Sequence, residues 1–431
     1  MDMRYPLILA VLLALIRDGK GQTPTVLLRP NFPQVYVGDD VTLICNREGG
    51  SKPTTWYHNE KPQQSYQDYT MLLTAVTPEN NGSYTCEQGG LTSVPFTLIV
   101  LELEPHAQLS PSVGGAVMTK GDGRNLVLQT DDDLKDWACY VLRGVSTFVL
   151  GLDINKEMKR AVIFAELKEA ERATFWCKKK KALLRSNAVT LKMTELLVML
   201  VPPAAPVLQG EPVALRCVVW GGPKLENVVF YKNQKEIISS SKGTYDINNA
   251  TQDDNGKYSC HATYSYSHIS TGAARKEGDS DLQELKVIGG PAAAVISGSA
   301  KSLQCSCPRC PKNCTSYHWY HKLSNDQQSH TRLSENGMSV TPEEEGEYSC
   351  RFDCGNGFSR FSDSYSYKAQ PAEFGGLLYI LVGGAALIIL LCGTVWMLKR
   401  RKQGGSDIQE SKQGKDKDML ISLNFEQREY F

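Results

Sequence analysis

Short segments in which apolar and polar residues alternate recur along most of this 431-residue chain. Residues 41–44 and 96–100 are two examples, and both are rich in β-branched and aromatic side chains. Because alternate side chains of a strand share one face, such segments predict half-buried β-strands. Residues 154–172 differ, since their spacing by itself looks helical.

A short phrase that ends in cysteine occurs four times along the chain. In each copy a polar or acidic residue, a small residue, an aromatic residue and a cysteine follow at intervals of two. The copies occupy residues 79–86, 171–177, 254–260 and 344–350. Two-residue spacing fits a strand, and the copies lie roughly a domain's length apart. The phrase therefore predicts four tandem repeats of one β-domain.

This phrase resembles the strand F region of the immunoglobulin superfamily, where it carries the tyrosine corner and the second cysteine of the inter-sheet disulfide. The resemblance implies strands over residues 154–172 as well. It also implies, in each domain, a first cysteine on strand B and an aromatic ring on strand C. The implied pairs are Cys45 with Cys86, Cys139 with Cys177, Cys217 with Cys260, and Cys305 with Cys350. The implied strand C rings are Trp56, Phe148, the pair Phe230-Tyr231, and Trp319.

The two ends of the chain predict its location. Arg4 precedes an apolar run, and Gly19-Lys20-Gly21 offers a small-x-small cleavage site, so residues 1–21 are expected to be a signal peptide. Residues 374–398 contain no charge and would extend about 37 Å as a helix, against about 30 Å of hydrocarbon. Basic residues 399–402 follow and place the C-terminus in the cytosol. We expect a type I single-pass protein of the plasma membrane with an extracellular ectodomain, and 13 cysteines fit that oxidising location.

The expected fold class is all-β, with four tandem immunoglobulin-like β-sandwiches and one transmembrane α-helix. A proline-rich stretch at 201–206 is expected to be a stiff linker or bend between the second and third domains. The expected boundaries are 1–21 for the signal peptide, 22–102, 103–200, 201–288 and 289–367 for the four domains, 368–373 for a stalk, 374–398 for the transmembrane helix and 399–431 for a cytoplasmic tail.

The fourth repeat has four further cysteines, Cys307, Cys310, Cys314 and Cys354. Their spacing leaves zinc open as an alternative, but an oxidising compartment favours disulfides. Cys307 and Cys354 lie an even number of residues after the two bridge cysteines, so strand parity suggests a second inter-sheet bridge between them. Cys310 and Cys314 would then form a local bridge. This is a parity argument, because six cysteines allow about fifteen pairings.

The net charge and several short motifs reduce the number of functions to consider. The formal net charge is zero, so nothing in it favours nucleic acid or anionic lipid as a partner. The basic run at 178–181 is interpreted as a solvated hairpin, with an acidic patch on a partner as the alternative. Asn81, Asn249 and Asn313 begin glycosylation sequons, the last with a cysteine in its middle position. No nucleophile–base constellation or cofactor motif stands out, so we expect neither an enzyme nor a cofactor.

Repeats one and three are more specifically similar to Fc receptors and Fc receptor-like proteins. The residues that carry this resemblance are 38–45 and 55–57 in the first repeat, and 211–220 and 229–235 in the third. That family clamps an Fc proline between two tryptophans, and Trp220 matches the one that follows the strand B cysteine. The other lies in the preceding linker, and residues 196–209 contain no tryptophan. Trp220 is the candidate ligand contact, with packing against a neighbouring domain as the alternative.

Two functions follow from these features. The first is a surface immune receptor of Fc receptor-like type that binds immunoglobulin Fc or another protein; the second is a cell–cell adhesion molecule. The predicted span has no charge that could pair with a signalling subunit, and Tyr430 is the single tyrosine of the tail, so signalling would depend on a partner chain. Asp416, Leu420 and Ile421 match an acidic dileucine sorting pattern, with chance occurrence as the alternative.

Overall fold

The computed structural model describes residues 23–47, 53–131, 133–155, 160–180, 182–323, 331–334, 336–368 and 387–397. The predicted signal peptide and the tail with its sorting pattern lie outside these residues, as does most of the predicted span. Residues 387–397 are α-helical, and no helix in the described part of the chain is long and apolar enough to cross a membrane. The β-structure forms one compact unit that ends at Lys368.

Domain 1 is a two-sheet sandwich closed by a disulfide. Its elements are β1 (Thr25–Arg29), β2 (Val35–Tyr36), β3 (Val41–Asn46), β4 (Thr54–His58), β5 (Lys61–Pro62), β6 (Thr70–Leu73), a 3-10 turn (Pro78–Asn80), β7 (Gly82–Gln88), β8 (Leu91–Thr92), β9 (Phe96–Leu98) and β10 (Val100–Leu101). One sheet has the order β1-β3-β6 and the other β5-β4-β7-β8, with β9 also on β7. The Cys45–Cys86 bridge joins the sheets beside the fully buried Trp56.

Domain 2 has the same general plan with a different disulfide. Its strands are β11 (Ala107–Pro111), β12 (Val117–Thr119), β13 (Gly123–Thr130), β14 (Trp137–Arg143), β15 (Ser146–Leu150), β16 (Asp153–Asn155), β17 (Arg160–Glu166), β18 (Arg172–Lys179) and β19 (Val189–Thr194). The sheets have the orders β11-β13-β17-β16 and β12-β19-β18-β14-β15. Residues 154–172 therefore contain strands, despite their helix-like spacing.

The placement of Cys139 on strand B was wrong. Cys139 pairs with Cys177 as expected, but it lies on β14, directly opposite Cys177 on β18 of the same sheet, with their Cα atoms 3.9 Å apart. The strand B position belongs to β13, where Leu126 and Leu128 fill the core instead of a cysteine. The strand C assignment of Phe148 was wrong for the same reason, because this ring lies on β15 and is 49% exposed.

Domain 3 begins earlier than the sequence pattern suggested. Its elements are β20 (Val198–Val201), β21 (Val207–Leu208), β22 (Val213–Val219), β23 (Lys224–Lys232), β24 (Lys235–Ser240), β25 (Thr244–Ile247), a 3-10 turn (Gln252–Asp254), β26 (Gly256–Ser265), β27 (Lys276–Asp279), β28 (Gln283–Leu285) and β29 (Val287–Ile288). Because β20 pairs with β22, the boundary expected at 200/201 falls inside this domain. The proline-rich stretch joins β20 to β21 rather than one domain to the next. The Cys217–Cys260 bridge is present.

Domain 4 pairs its six cysteines differently from the parity argument. Its strands are β30 (Val295–Ser299), β31 (Ser302–Ser306), β32 (Ser316–Leu323), β33 (Thr331–Arg332), β34 (Ser339–Val340), β35 (Gly346–Asp353) and β36 (Tyr365–Tyr367). Cys305 bridges Cys350 as expected. The predicted 307–354 and 310–314 bridges were wrong, since the structure has Cys307–Cys310 and Cys314–Cys354.

The physical reason is that strand parity ends where the strands end. Cys307 follows the last residue of β31 and enters a turn in which the N–H of Cys310 donates to its carbonyl oxygen at 3.2 Å. Cys354 likewise follows the last residue of β35. Among the described residues, no group of His, Cys, Asp or Glu could hold a metal ion.

The tyrosine corner recurs in three of the four domains. The hydroxyl of Tyr84 donates to the carbonyl of Asn80 at 2.9 Å, and Tyr258 and Tyr348 repeat this bond in domains 3 and 4 at 2.7 and 2.9 Å. Phe175 occupies the position in domain 2 and has no hydroxyl. The repeated phrase therefore has the same structural meaning in three domains, and domain 2 is the divergent one.

Domains 1 and 2 share a buried interface built around Arg185 of domain 2. Its side chain is fully buried and pairs with the carboxylate of Asp39, which is 2% exposed. Burial raises the pKa of Asp39, and the guanidinium of Arg185 opposes that shift. We call this group the Arg185 cluster; it also contains the Gln34 and Ser186 carbonyls at 2.9 and 2.7 Å from Arg185 nitrogens, and the rings of Phe32 and Tyr36 at 4.0 and 4.5 Å from its guanidinium carbon.

Domain 4 contacts the other three domains. The hydroxyl of Tyr36 in domain 1 donates to the carbonyl of Asn356 at 2.7 Å. Arg351 pairs with Asp131 of domain 2, and Arg360 pairs with Glu211 of domain 3. Burial acts to raise the pKa of Asp131, but Arg351 and a tyrosine hydroxyl outweigh it, so the pKa is lowered. The four domains are therefore joined by ion pairs and hydrogen bonds and do not form an extended string.

Candidate functional site

An exposed pair of apolar side chains, Leu197 and Trp220, lies where domain 3 begins. Buried and outward-facing residues alternate along β22, and Trp220 continues the outward series just past its end. β20 pairs with β22 in the register Val198 to Val219, and the N–H of Trp220 donates to the carbonyl of Leu197 at 2.8 Å. Leu197 and Trp220 therefore lie opposite each other and are 49% and 52% exposed.

Tyr266 supports the backbone beneath this pair. Its hydroxyl donates to the carbonyl oxygen of Trp220 at 2.8 Å, and its ring meets Tyr264 edge-on at 5.7 Å. Burial raises the pKa of Tyr266, and the neighbouring Tyr264 raises this pKa further. The hydroxyl therefore remains a donor at neutral pH. The ammonium of Lys276 lies 5.7 Å from the centre of the Tyr266 ring and adds positive charge to one side of the site.

The junction between domains 2 and 3 gives the pair a fixed base. Val117 of domain 2 packs with Met199 and Val201 of domain 3 in a small buried cluster. Next to it, the Thr194 hydroxyl donates to the Asp281 carboxylate. Because apolar packing and a hydrogen bond both cross this junction, the Leu197–Trp220 pair is held in one orientation relative to the two domains.

The alternative interpretation of Trp220 is weakened by its exposure. A tryptophan that packed against a neighbouring domain would be largely covered, whereas half of this side chain faces solvent. Leu196, the residue before Leu197, is 40% exposed, and Ile269, whose N–H donates to the carbonyl of Tyr266 at 2.9 Å, is 72% exposed. Exposed aromatic and aliphatic side chains grouped on a rigid base are typical of the centre of a protein-binding surface.

Leu197 was not recognised from the sequence. Residues 196–209 contain no second tryptophan, and a leucine carries no signal by itself. The antiparallel register is what places Leu197 opposite Trp220, and that register requires β20 to belong to domain 3. The short apolar run that begins at Leu196 and continues into β20 was the available clue.

The predicted glycosylation positions are all on the surface. Asn81, Asn249 and Asn313 are exposed. The Asn81 side-chain oxygen accepts from the N–H of Val100 at 2.6 Å, while the amide nitrogen of Asn313 donates to the carbonyl of Cys354 at 3.0 Å. Glycan attachment stays a prediction at each position. In the basic run, Lys178 and Lys180 are exposed. Lys178 lies near the end of β18, and Lys180 is the first residue after that strand.

Comparison with known proteins adds to this geometry. The immunoglobulin domain family matches residues 25–100 and 197–273, and the second match includes Leu197 and Trp220. Fc receptor-like protein 5 of Mus musculus is 35% identical over 96 residues, and the high affinity immunoglobulin epsilon receptor subunit alpha of Rattus norvegicus is 34% identical over 101 residues. This chain resembles the Fc receptor-like proteins of the immunoglobulin superfamily.

These similarities concern parts of the proteins. Each curated match covers 22% of this chain, and they cover 16% of the mouse relative and 41% of the rat relative. Among solved structures, the N-terminal eight immunoglobulin domains of Down Syndrome Cell Adhesion Molecule match with 13% identity and a TM-score of 0.20, over 80% of this chain and 47% of that one.

Proposed function

We propose that this chain is a type I cell-surface immune receptor of Fc receptor-like type, which binds immunoglobulin or another protein through the surface around Leu197 and Trp220. The observation that carries the proposal is this half-exposed pair on the fixed junction of domains 2 and 3. The similarity to an immunoglobulin epsilon receptor subunit supports immunoglobulin as the first ligand to test.

The chemistry of the pair favours a small apolar side chain on the ligand. Leu197 and Trp220 lie on neighbouring strands, so an inserted side chain such as proline would contact the indole ring and the leucine methyl groups together. Leucine replaces the second ring of the two-tryptophan clamp of Fc receptors. We expect the pair to bind more weakly than a double-tryptophan clamp, because leucine offers less contact area than an aromatic ring.

The cellular setting is part of the same proposal. Six disulfides fit an extracellular ectodomain, and the uncharged segment 374–398 would anchor it. Nothing in that segment would pair with a charged signalling subunit, so any such subunit would bind through other contacts. We also propose that the chain acts by binding and not by catalysis.

Two bead assays separate this function from cell–cell adhesion. Beads coated with the purified ectodomain should retain purified immunoglobulin from a panel of isotypes, and aggregation of the same beads with one another is scored separately. Retention that is lost in Trp220→Ala but kept in Ile99→Ala, a change at a 63% exposed site in domain 1, would support the proposal. Aggregation of the beads without retention of any isotype would contradict it and favour adhesion.

A further inference from the structure

The outer edge of β15 in domain 2 is an unpaired sheet edge with large apolar side chains. β15 is the last strand of its five-stranded sheet and pairs on one side with β14. Across the residues that the structure describes, no strand pairs with its other side. Phe148 and Val149 of this strand are 49% and 70% exposed, and Phe164 of β17 lines the same groove and is 61% exposed.

This edge continues a face that domain 1 covers elsewhere. Val149 lies opposite Tyr140, which shares its side of the sheet with Leu142 and Trp176. Leu142 and Trp176 belong to the buried core that domain 2 shares with domain 1, and Tyr140 packs against that core. Domain 1 does not reach Val149, so the apolar face remains open at β15.

Natural sheets seldom leave such an edge bare. A free strand edge offers a row of backbone N–H and C=O groups to another strand, and soluble proteins usually protect it with charges, proline or a covering segment. The strand itself, Ser146 to Leu150, contains no charged residue and no proline. Its composition therefore indicates an edge that another strand covers.

Charges around the groove indicate what kind of strand covers it. The groove is lined by three basic residues, Arg143, Lys168 and Arg172, and by three acidic ones, Glu166, Glu169 and Glu171. When two identical surfaces meet across a two-fold axis, a charged residue of one copy faces the same set of charged residues on the other copy. A rim of one sign would repel its own copy, whereas a rim of both signs can complement itself.

We propose that a second copy of this chain covers the edge, with the two β15 strands pairing antiparallel across a two-fold axis. Centred on Phe148, this pairing places Ser146 opposite Leu150 and Thr147 opposite Val149. The two domain 2 sheets would then join into one continuous sheet across the dimer. The Leu197–Trp220 pair lies on another domain and takes no part in this contact.

The first test uses the full-length chain with two different tags, coexpressed on transfected cells and extracted in mild detergent. We expect the parent copies to coprecipitate, and Val149→Glu in both copies to reduce the coprecipitated fraction at least tenfold. Val113→Glu is the matched control, because Val113 lies in the same domain, is 74% exposed and does not line the groove. Failure of the parent to coprecipitate, or equal coprecipitation by Val149→Glu, would overturn the proposal.

The second test examines the antiparallel pairing of the two β15 strands directly. In a Cys392→Ser background, which removes the free cysteine, Phe148→Cys should form an interchain disulfide, because antiparallel pairing places residue 148 opposite its own copy. A covalent dimer on a non-reducing gel is expected for Phe148→Cys and not for Val113→Cys. Absence of the dimer under oxidising conditions at the cell surface would contradict the two-fold pairing of β15.

Discussion

Replacing Arg185 by methionine should destabilise the contact between domains 1 and 2. Methionine keeps much of the side-chain volume but removes the charge and the donors. Asp39 would remain buried without its counter-ion, although it still accepts from the N–H of Tyr36 at 2.8 Å. Breaking a buried ion pair costs about 3–5 kcal/mol, and an orphaned buried carbonyl such as that of Gln34 costs about 1–3 kcal/mol. Because methionine still packs on the rings, we expect a loss of about 4 kcal/mol.

A second Arg–Asp pair in the same interface provides the control. Arg172 pairs with Asp40 at 2.7 Å, and these side chains are 25% and 20% exposed. Solvent screens this pair, so Arg172→Met should cost only about 1 kcal/mol. Adding Asp39→Asn to Arg185→Met should recover about 2 kcal/mol, because the buried carboxylate then no longer needs a counter-ion.

The assay is urea unfolding of the purified ectodomain, followed by tryptophan fluorescence. Trp176 reports on this interface, because its ring centre lies 5.5 Å from that of Phe32 across the two domains. A parallel measurement of amide hydrogen exchange would show whether the loss is local to the interface. The reasoning fails if Arg185→Met costs no more than Arg172→Met, or if the double variant is as unstable as the sum of its single changes.

Three further predictions concern domain 4 and the tail. Asp131→Asn should cost about 2 kcal/mol by leaving a buried arginine without its carboxylate, whereas exposed Asp133→Asn should have no effect in the same urea assay. Burial lowers the pKa of His318, so the unfolded chain binds the extra proton more readily; the free energy of unfolding should fall as the pH drops below about 6.5, and His318→Gln should flatten that slope. Changing both Leu420 and Ile421 to alanine should slow antibody uptake by transfected cells and raise the surface level, and an unchanged uptake rate would exclude the sorting role.

The fold could be predicted from the sequence where one local phrase carries several constraints. The repeated phrase fixes a turn, a strand and a cysteine together, and it locates strand F in all four domains, although only three of them have the tyrosine corner. Domain 2 shows the limit of this reasoning. A cysteine on strand C closes a loop of nearly the same length as one on strand B, so the spacing of Cys139 and Cys177 could not distinguish the two strands.

One of the two central residues of the candidate site could be predicted from the sequence. Trp220 follows a recognisable strand B phrase, but the role of Leu197 depends on an antiparallel register that no local pattern records. The Arg185 cluster could not be predicted either, because its side chains come from positions 146 residues apart and only the packing of two domains brings them together. Long-range contacts between domains leave little trace in local periodicity.

The most direct test of the functional proposal is the equilibrium affinity of the ectodomain for immobilised immunoglobulin, measured by surface plasmon resonance for three variants. Trp220→Ala should raise Kd about 30-fold, which corresponds to a loss of about 2 kcal/mol of binding free energy for truncation of a central tryptophan. Leu197→Trp should strengthen binding, because it supplies the second ring of the clamp, and Ile99→Ala should leave Kd unchanged. The account is contradicted if the parent ectodomain binds no isotype, or if Trp220→Ala binds as tightly as the parent.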